Sequence, residues 1–301
     1  MTLRVLDPGL YTLVVDFGRP GARGLGVPVG GAADRAALAL GNALVGNAPA
    51  APALEMSLAG PTLQADCDLA SVVYGAPFSL TVDGEEPSYG TTFTLPAGKE
   101  LRIGGTHEGM RAYFCVRGGL RERHVLGSCS GLEPVTAGAE LACSPGRIHH
   151  RFVRPVLTDD DRHVLRVLDG PQAAWFASEE FYPQRFTVTP ASNRMGLRLD
   201  GELLGRRNRQ EMLSEPVCPG AVQVTHDGRC IILGVDGQTI GGYPKIAQVI
   251  SADLDKLGQL RPGERIAFKR VGLDEAEAVY RRKQAELAEW IMRLRVTLCE
   301  G

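Results

Sequence analysis

The chain has 301 residues, of which 44% are apolar, and a net charge of −2. No block of basic residues indicates a nucleic-acid or membrane-surface partner, and no apolar run approaches the roughly 20 residues of a membrane-spanning helix. The N-terminus lacks the layout of a signal peptide, and the seven cysteines form no CxxC pair. We therefore expect a cytoplasmic protein with reduced cysteines and two domains of about 150 residues.

Short apolar runs recur along the whole chain between glycines and prolines. This sequence pattern is typical of many short strands joined by tight turns. Examples are YTLVV (11–15), ASVVYG (70–75), AYFCV (112–116), HVLRVL (163–168), RFTVT (185–189) and RIAFKRV (265–271). The pattern predicts a mainly β fold.

The first polar segment, 14–35, combines a strand end with a run of glycines. Asp16 and Arg19 either pair with each other as a structural clasp or contact an anionic or amide substrate. Asp34 is expected to cap a helix that runs to Val45, because its side chain can accept a hydrogen bond from the first helical turn.

Glu55 stands in the apolar strand-like run ALEMSLAGPTL (53–63). A carboxylate in such a position either faces solvent or is buried with a cationic partner such as Arg19 or Lys245. The residue is therefore a candidate for a functional role, with a solvent-facing position as the alternative.

The sequence GSCSG (127–131) has the GxCxG form of a cysteine nucleophile elbow. An elbow requires a strand before it and a helix after it. The proline and glycines that follow favour a loop instead, so catalysis by Cys129 is the weaker interpretation.

The densest polar segment is DGQTIGGYPKI (236–246), which follows the apolar run CIILGV. Its polar side chains are those of Asp236, Gln238, Thr239, Tyr243 and Lys245. This density after a buried strand suits a small-molecule site, and a polar turn on a β-barrel is the alternative. Beside a carboxylate, Lys245 would stabilise an oxyanion; in an apolar pocket it would lose its charge and act as a base.

Residues 273–298 form a highly charged helical pattern with apolar residues near heptad spacing. The apolar stripe is expected to pack on the same chain or, alternatively, on another chain. Tyr280, Leu287, Ile291, Leu294 and Leu298 make up the stripe.

Three weak sequence matches relate the two halves of the chain in the same order. The matching pairs are LRVLD at 3–7 and 165–169, Asp34-Arg35 and Asn193-Arg194, and LPAGKELRI (95–103) and LRPGERIAF (260–268). Their nearly constant offset indicates a tandem duplication. The join is expected near 150–162.

Several motifs occur in a fixed order over about residues 5–271. They are VDFGRPG, GVPVGGAAD, NALVGN, ALEMSLAGP, GPQAAWF, SNRMGLRLDG, LSEPVCPGAVQV and DGQTIGGYPKI. This ordered set resembles the biotin-dependent carboxyltransferase family, also called the allophanate hydrolase subunit 2 family. Its members include the C subunit of 5-oxoprolinase and the kinase-inhibitor antagonist of sporulating bacteria.

The resemblance implies an all-β fold of two tandem cyclophilin-like β-barrel domains, with short helices and a C-terminal helix. The expected domains are 1–150, 163–271 and 272–301. It also implies an enzyme subunit that works on a small amide together with a subunit 1 protein, similar to the B subunit of 5-oxoprolinase. In the three-subunit enzymes, the A subunit is a further partner.

The resemblance also implies roles for individual residues. Asp236 and Lys245 are the expected catalytic residues. The expected substrate-binding residues are Gln238, Thr239, Tyr243, Glu55, Asp16, Arg19 and Arg194. No phosphate loop, dinucleotide fingerprint or zinc motif is present in the sequence, so no metal or directly bound cofactor is expected, and ATP belongs on a partner subunit.

The sequence departs from the family pattern at Val15, Gly30, Ala33 and Gly237, where a glutamine, a serine, a methionine and an arginine are usual. These departures motivate a second hypothesis, a non-catalytic regulatory module that binds and antagonises the subunit 1 protein. A third hypothesis is a biotin-dependent carboxyltransferase. Since no AMKM-type attachment motif is present, biotin would come on a separate carrier.

Overall fold

The computed structural model describes residues 1–153, 161–208 and 212–299. The chain divides into two compact units. The first unit contains 1–18, 30–157 and 286–301, and the second contains 19–29 and 158–285. Among the described residues, no helix is long and apolar enough to cross a membrane.

The first unit is built from two five-stranded sheets. Its strands are β1 (Thr2–Asp7), β2 (Thr12–Val15), β3 (Ala53–Ser57), β4 (Thr62–Ala65), β5 (Leu69–Gly75), β6 (Phe78–Val82), β7 (Phe93–Leu95), β8 (Glu100–Thr106), β9 (Arg111–Val116) and β10 (Glu140–Ala142). The strand orders are β10-β1-β4-β8-β6 and β2-β3-β9-β5-β7. Neighbouring strands are antiparallel in both sheets.

The two sheets enclose a common apolar core. Leu3 and Val5 of β1 contribute to this core from one sheet, and Leu54, Met56 and Phe114 contribute from the other. All five side chains are fully buried. Their burial provides the hydrophobic free energy that holds the two sheets together.

Helix α1 (Arg35–Leu44) covers the other face of the second sheet. Leu38 and Leu44 of this helix belong to the same buried cluster as Val72 and Cys115 of the sheet. The sheet is therefore covered on both faces, which explains why every residue of β9 is buried.

The start of α1 is fixed by the residue that the sequence predicted. The Asp34 side chain accepts a hydrogen bond from the Ala37 backbone N–H at 2.9 Å, and Val45 follows the last helical turn. The predicted helix at 34–45 is confirmed, with Asp34 as its N-cap.

The second unit contains a closed seven-stranded barrel in the order β11-β18-β15-β16-β13-β12-β19. Its strands are β11 (Val164–Asp169), β12 (Phe186–Val188), β13 (Gly196–Asp200), β14 (Glu215–Pro216), β15 (Ala221–Val224), β16 (Cys230–Leu233), β17 (Ile240–Gly241), β18 (Lys245–Val249) and β19 (Arg265–Arg270). Strands β14 and β17 form a separate two-stranded ladder, and the short helices are α2 (Ser178–Phe181) and α3 (Leu254–Leu257).

Aromatic side chains dominate one part of the barrel core. Phe181 stacks on Phe268 with ring centroids 4.8 Å apart, and Phe186 meets Phe268 edge to face at 5.3 Å. Leu165 and Val167 of β11 are fully buried in the same cluster. The interior of the barrel is thus a packed core rather than a ligand cavity.

Helix α4 (Leu273–Cys299) ends the described chain. Its part up to Ala285 belongs to the second unit, where Ala276 packs with Val271. Its part from Glu286 belongs to the first unit, where Leu294 is buried in the cluster around α1. Leu287 and Ile291 pack against the same cluster, so these members of the stripe lie on their own chain, whereas Tyr280 is 42% exposed. The side chain of Leu298 lies outside the described part of the helix.

The predicted fold class is confirmed, since the chain is built mainly from strands in two β units, with short helices and a C-terminal helix. The sequence predicted domains 1–150, 163–271 and 272–301. The structural units differ from them because 19–29 groups with the second unit and α4 is shared between the units. The predicted join at 150–162 falls mostly on 154–160, outside the described residues.

Candidate functional site

The polar loop 236–246 lies between β16 and β18 of the closed barrel. Its short strand β17 pairs with β14, so that Glu215 stands opposite Gly241 in the ladder. This pairing joins the LSE motif to the loop. Glu215, which precedes the start of the loop by 21 positions in the sequence, thereby becomes part of the candidate site.

Asp236 forms a bidentate ion pair with Arg194. The Arg194 Nε atom lies 2.6 Å from Oδ2 of Asp236, and Nη2 lies 3.1 Å from Oδ1. The Arg194 side chain is 6% exposed and that of Asp236 is 21% exposed. Planar pairing of this kind fixes the orientation of both groups, while the exposed part of Asp236 remains available to a ligand.

Lys245 forms an ion pair with Glu215, with Nζ 2.6 Å from Oε1. The lysine side chain is only 10% exposed, whereas 39% of the glutamate side chain is exposed. Of the two environments considered for Lys245, the structure shows the one with a neighbouring carboxylate. A mostly buried ammonium beside a half-exposed carboxylate is suited to binding an anionic or polarised oxygen.

Gln172 holds this ion pair in place. Its Nε2 donates to Oε1 of Glu215 at 2.9 Å, and its Oε1 accepts from the backbone N–H of Lys245 at 3.0 Å. Its own backbone N–H donates to the Lys245 carbonyl at 3.1 Å. The GPQ motif therefore positions both the backbone and the ionic partner of Lys245.

The electrostatics of Glu215 follow from these contacts. The hydrogen bond from Lys245 lowers the pKa of the Glu215 carboxyl below its ordinary value, and the hydrogen bond from Gln172 acts in the same direction, while partial desolvation opposes them. Glu215 is thus a carboxylate at neutral pH and can accept a hydrogen bond or a proton from a ligand.

The remaining predicted residues of the loop occupy different environments. Thr239 is buried, and its carbonyl accepts from the Val217 N–H at 3.0 Å. Tyr243 is half-buried, with its ring edge to face against His226 at 5.3 Å. Gln238 is exposed. Thr239 therefore ties the loop to the LSE segment, whereas Gln238 is open to a ligand.

Gly237 is required by a close backbone approach. A Cβ at this position would lie 2.9 Å from the carbonyl oxygens of both Gly234 and Met195. Since backbone atoms cannot move away as a flexible side chain can, any larger residue would shift the loop. Gly237 thus sets the path of this loop.

Arg19 belongs to the second unit, together with the rest of 19–29. It is 6% exposed, and its backbone N–H donates to the Val29 carbonyl at 2.7 Å. In the same segment, Arg23 donates to the Val217 carbonyl. The segment is therefore fastened beside the LSE motif.

Asp16 organises the GSCSG loop of the first unit. Its carboxylate accepts hydrogen bonds from the hydroxyls of Ser128 and Ser130 and from the backbone N–H groups of Gly18 and Cys129, at 2.6–2.7 Å. Burial by itself would raise the pKa of Asp16, but these hydrogen bonds lower it below 3.8. The GSCSG residues form a loop without a following helix, as predicted.

Glu55 is buried in the first unit with two partners from strand β9 and one from the segment before α1. Arg111 Nε lies 3.3 Å from its Oε1, and the Tyr113 hydroxyl and the Ala33 N–H donate to its Oε2, each at 2.8 Å. The glutamate is 1% exposed and the arginine 4%. The carboxylate thus follows the buried alternative, with Arg111 as its cationic partner.

Tyr113 links Glu55 to the start of α1. Its hydroxyl oxygen accepts from the Asp34 N–H at 2.8 Å. Burial raises the pKa of Tyr113 well above its ordinary value, and the carboxylates of Glu55 and Asp34 add to the effect. The phenol therefore stays protonated and connects the sheet to the helix.

The structure brings only some of the predicted site residues together. Asp236 and Arg194 meet directly, and Lys245 lies in the same loop, whereas Asp16 and Glu55 belong to the first unit. Sequence reasoning assigned neither Gln172 nor Glu215 to the site. Both lie in recognised motifs, GPQ and LSE, which was the available signal.

Comparison with known proteins gives concordant results. Residues 25–270 match the sequence profile described as carboxyltransferase domain, subdomain A and B. The C subunit of 5-oxoprolinase from Escherichia coli (strain K12) is 36% identical over 287 residues, which cover 91% of this chain and 93% of that protein. Similarity therefore extends over nearly the full length of both proteins.

Solved structures similar to this chain are longer proteins. The crystal structure of the K. lactis urea amidolyase matches with a TM-score of 0.88 and 26% identity, over 96% of this chain and 20% of that one. The crystal structure of TTHA0988 matches with a TM-score of 0.79 and 39% identity, over 89% of this chain and 55% of that one. The chain thus spans about half, or less, of these solved relatives.

Proposed function

We propose, because this chain belongs to the carboxyltransferase domain family with subdomains A and B, that it is a subunit of an ATP-dependent enzyme acting on a small amide such as 5-oxoproline. The observation that carries this proposal is the ion pair between Glu215 and Lys245 of the 236–246 loop. Gln172 holds this pair through its hydrogen bond to Glu215. The similarity to the C subunit of a 5-oxoprolinase supports the choice of substrate.

The two ion pairs supply the groups that amide chemistry needs. When a nucleophile adds to an amide carbonyl, negative charge develops on the oxygen, and a cation in a partly desolvated site stabilises that charge. Lys245 is the proposed cation. As water adds to the carbonyl carbon, a half-exposed carboxylate, Glu215 or Asp236, takes its proton and then delivers that proton to the amide nitrogen as the bond to carbon breaks.

Arg194 has a positioning role in this proposal. It is nearly buried and holds both oxygens of Asp236. The pair keeps the exposed edge of Asp236 directed away from the protein, and Gln238 and Tyr243 orient the amide beside it. Thr239 has an indirect role, because its carbonyl accepts from the Val217 N–H and so fixes the backbone of the loop.

The proposal requires partner proteins. We place ATP on one of these partners, which are a subunit 1 protein similar to the B subunit of 5-oxoprolinase and, for ring opening, a protein similar to the A subunit. The relative is named as one subunit of an enzyme, which motivates this assignment. Carboxyl transfer from a biotinylated carrier protein is a second candidate activity, motivated by the match to the carboxyltransferase profile.

The test is reconstitution of the enzyme. We expect ATP-dependent formation of glutamate from 5-oxoproline when the full chain is combined with a subunit 1 protein and a protein similar to the A subunit of 5-oxoprolinase. The Lys245→Ala variant should lose this activity. Lys269→Ala, which removes an exposed lysine of the same unit, serves as the matched control and should remain active.

Three outcomes would change the assignment. Equal activity without this chain would remove it from the reaction. Activity only with a biotinylated carrier would favour carboxyl transfer. Tight binding of the subunit 1 protein by an Asp236→Ala/Lys245→Ala variant, with no turnover of any amide by the wild type, would favour the regulatory module instead.

A further inference from the structure

Gln223 on β15 is a buried polar side chain with an unused donor. It is 1% exposed, and its Nε2 atom is buried with no hydrogen-bond partner among the residues that the structure describes. A buried N–H without a partner costs free energy, and the large majority of buried side-chain polar atoms in proteins are satisfied. Within the described residues, this donor is therefore left for a ligand oxygen or a water molecule.

A β-bulge brings Gln223 to the loop. Val222 pairs with Ala247 on β18, but Gln223 pairs with Lys245, so the register shifts between the two positions. Bulges redirect side chains and occur often beside active sites. The shift places Gln223 opposite the lysine of the Lys245–Glu215 ion pair.

Two glutamine amides converge on Gly241. A Cβ at Gly241 would lie 2.7 Å from Nε2 of Gln223 and 2.7 Å from Nε2 of Gln238, and 3.4 Å from Cγ1 of Val217. Glycine at this position leaves room for both amide groups. Gly241 also stands opposite Glu215 in the β14–β17 ladder, which puts the two amides next to the ion pair.

We propose that Gln223 and Gln238 form an oxygen-binding subsite, in which their N–H groups donate to a carbonyl or carboxylate oxygen of the small-amide substrate. The identity of the ligand rests on the proposed function. Amide N–H₂ groups donate and do not accept, so the ligand atom is an acceptor, which in a small amide is the carbonyl or carboxylate oxygen. Gln238 is exposed and its side chain can turn aside, whereas Gln223 is fixed in the barrel wall.

Gln223 is therefore the specificity-determining residue of this subsite. A substrate that lacks the oxygen leaves the buried donor without a partner, and sites of this kind discriminate strongly against such analogues. Gln238 adds a second, adaptable donor.

The experiment compares Gln223 with a glutamine of the same barrel whose amide is satisfied. Gln248 donates from Nε2 to the carbonyls of Pro219 and Val249 at 3.0 and 3.1 Å. We expect Gln223→Leu to raise the KM for 5-oxoproline in the reconstituted complex about tenfold and to leave the melting temperature of the chain equal or higher. Gln248→Leu should lower the melting temperature and leave KM unchanged.

A second variant tests whether Gln223 acts as the hydrogen-bond donor to the ligand. Gln223→Glu replaces a donor with a carboxylate, so the binding of an acceptor oxygen should weaken at least as much as in Gln223→Leu. Retained or tighter binding in Gln223→Glu would overturn the proposal. A fall in melting temperature for Gln223→Leu with an unchanged KM would also overturn it, because it would show that the amide is structural.

The subsite can be tested even if the reconstituted complex shows no turnover. Saturation-transfer NMR on the full chain would use 5-oxoproline, urea and acetamide as separate probes. A signal with the wild type that disappears in Gln223→Leu supports the subsite. Equal signals in both, or no signal with any of the three probes, contradict it. If Gln223→Leu abolishes the NMR signal but Lys245→Ala leaves the reconstituted enzyme active, the subsite stands and only the proposed reaction is overturned.

Discussion

The polar clusters of the two units differ in how much of their carboxylate side chains is exposed to solvent. In the first unit, Asp16 accepts hydrogen bonds from four groups of its own chain, and Glu55 is closed in by Arg111 and its neighbours. In the second unit, Glu215 and Asp236 keep 39% and 21% of their side chains exposed although each is ion-paired. Carboxylates that are buried and fully hydrogen-bonded by their own chain indicate a structural role. Ion-paired carboxylates that remain partly exposed indicate a binding role.

The difference shows why residue type alone is a poor guide to function. Glu55 and Glu215 are both carboxylates with a cationic partner, and both lie on strands. Their surroundings separate them, because the Glu55 carboxylate is enclosed and already bound by Arg111, Tyr113 and the Ala33 N–H. We therefore expect substitutions in the first cluster to reduce stability and those in the second to reduce activity.

The largest effect on stability is expected at Glu55. Glu55→Ala leaves Arg111 charged and buried without its carboxylate, which should lower the free energy of unfolding by about 3–5 kcal/mol. Chemical denaturation measures the change. The control is Glu140→Ala in the same unit, where an exposed pair with Arg4 is lost, with an expected change below about 1 kcal/mol. A stable but inactive Glu55→Ala protein would assign Glu55 to substrate binding instead.

Lys245 should give the opposite result. Lys245→Met removes the proposed oxyanion-binding cation and should reduce kcat/KM of the reconstituted enzyme by roughly 100-fold. Because Glu215 is exposed enough to be hydrated, the cost in stability should stay below about 1 kcal/mol. Steady-state kinetics and denaturation of the same preparation measure both quantities. A destabilised variant with normal kcat/KM would place Lys245 among the structural residues.

The Gly237→Ala variant tests whether the backbone path of the 236–246 loop depends on glycine at this position. Gly237→Ala puts a Cβ against two backbone oxygens, which should lower the free energy of unfolding by about 1–3 kcal/mol. Gly205→Ala is a matched control, since a Cβ there meets nothing within 4 Å. Equal stability of the two variants would show that the loop has room for a side chain.

The smallest expected effect is the pH dependence at Asp16. Its pKa in the folded protein is below the ordinary 3.8, so its contribution to stability is present above pH 3.8 and is lost as the pH falls through the folded-state pKa. Asp16→Asn should lower the free energy of unfolding by about 1–2 kcal/mol at pH 7 and by less at pH 3. An equal loss at both pH values would mean that the charge of Asp16 is not what the GSCSG loop requires.

Local signals predicted much of the fold. The alternation of apolar runs with glycine and proline indicated short strands, and Asp34 with the apolar side of 35–44 indicated α1. The closure of the barrel and the grouping of 19–29 with the second unit depend on contacts between residues far apart in the chain. No local pattern encodes such contacts, so the predicted domain boundaries followed the chain order.

The candidate site was predicted in part for the same reason. The density of polar residues marked Asp236 and Lys245, but their partners come from other motifs: Arg194 from SNRMG and Glu215 from LSE. Glu55 was ambiguous because strand alternation does not show which neighbouring strand supplies a partner. The bulge that redirects Gln223 is a feature of strand register, and register requires the paired strand to be known.

The most direct test of the central claim, that the polar cluster of the second unit binds the substrate, is a crystal structure of the full chain with 5-oxoproline. We expect ligand density in the 236–246 loop, with a ligand oxygen within hydrogen-bonding distance of the Lys245 Nζ atom. Ligand density against Glu55 or Asp16, with the loop free of ligand, would contradict it.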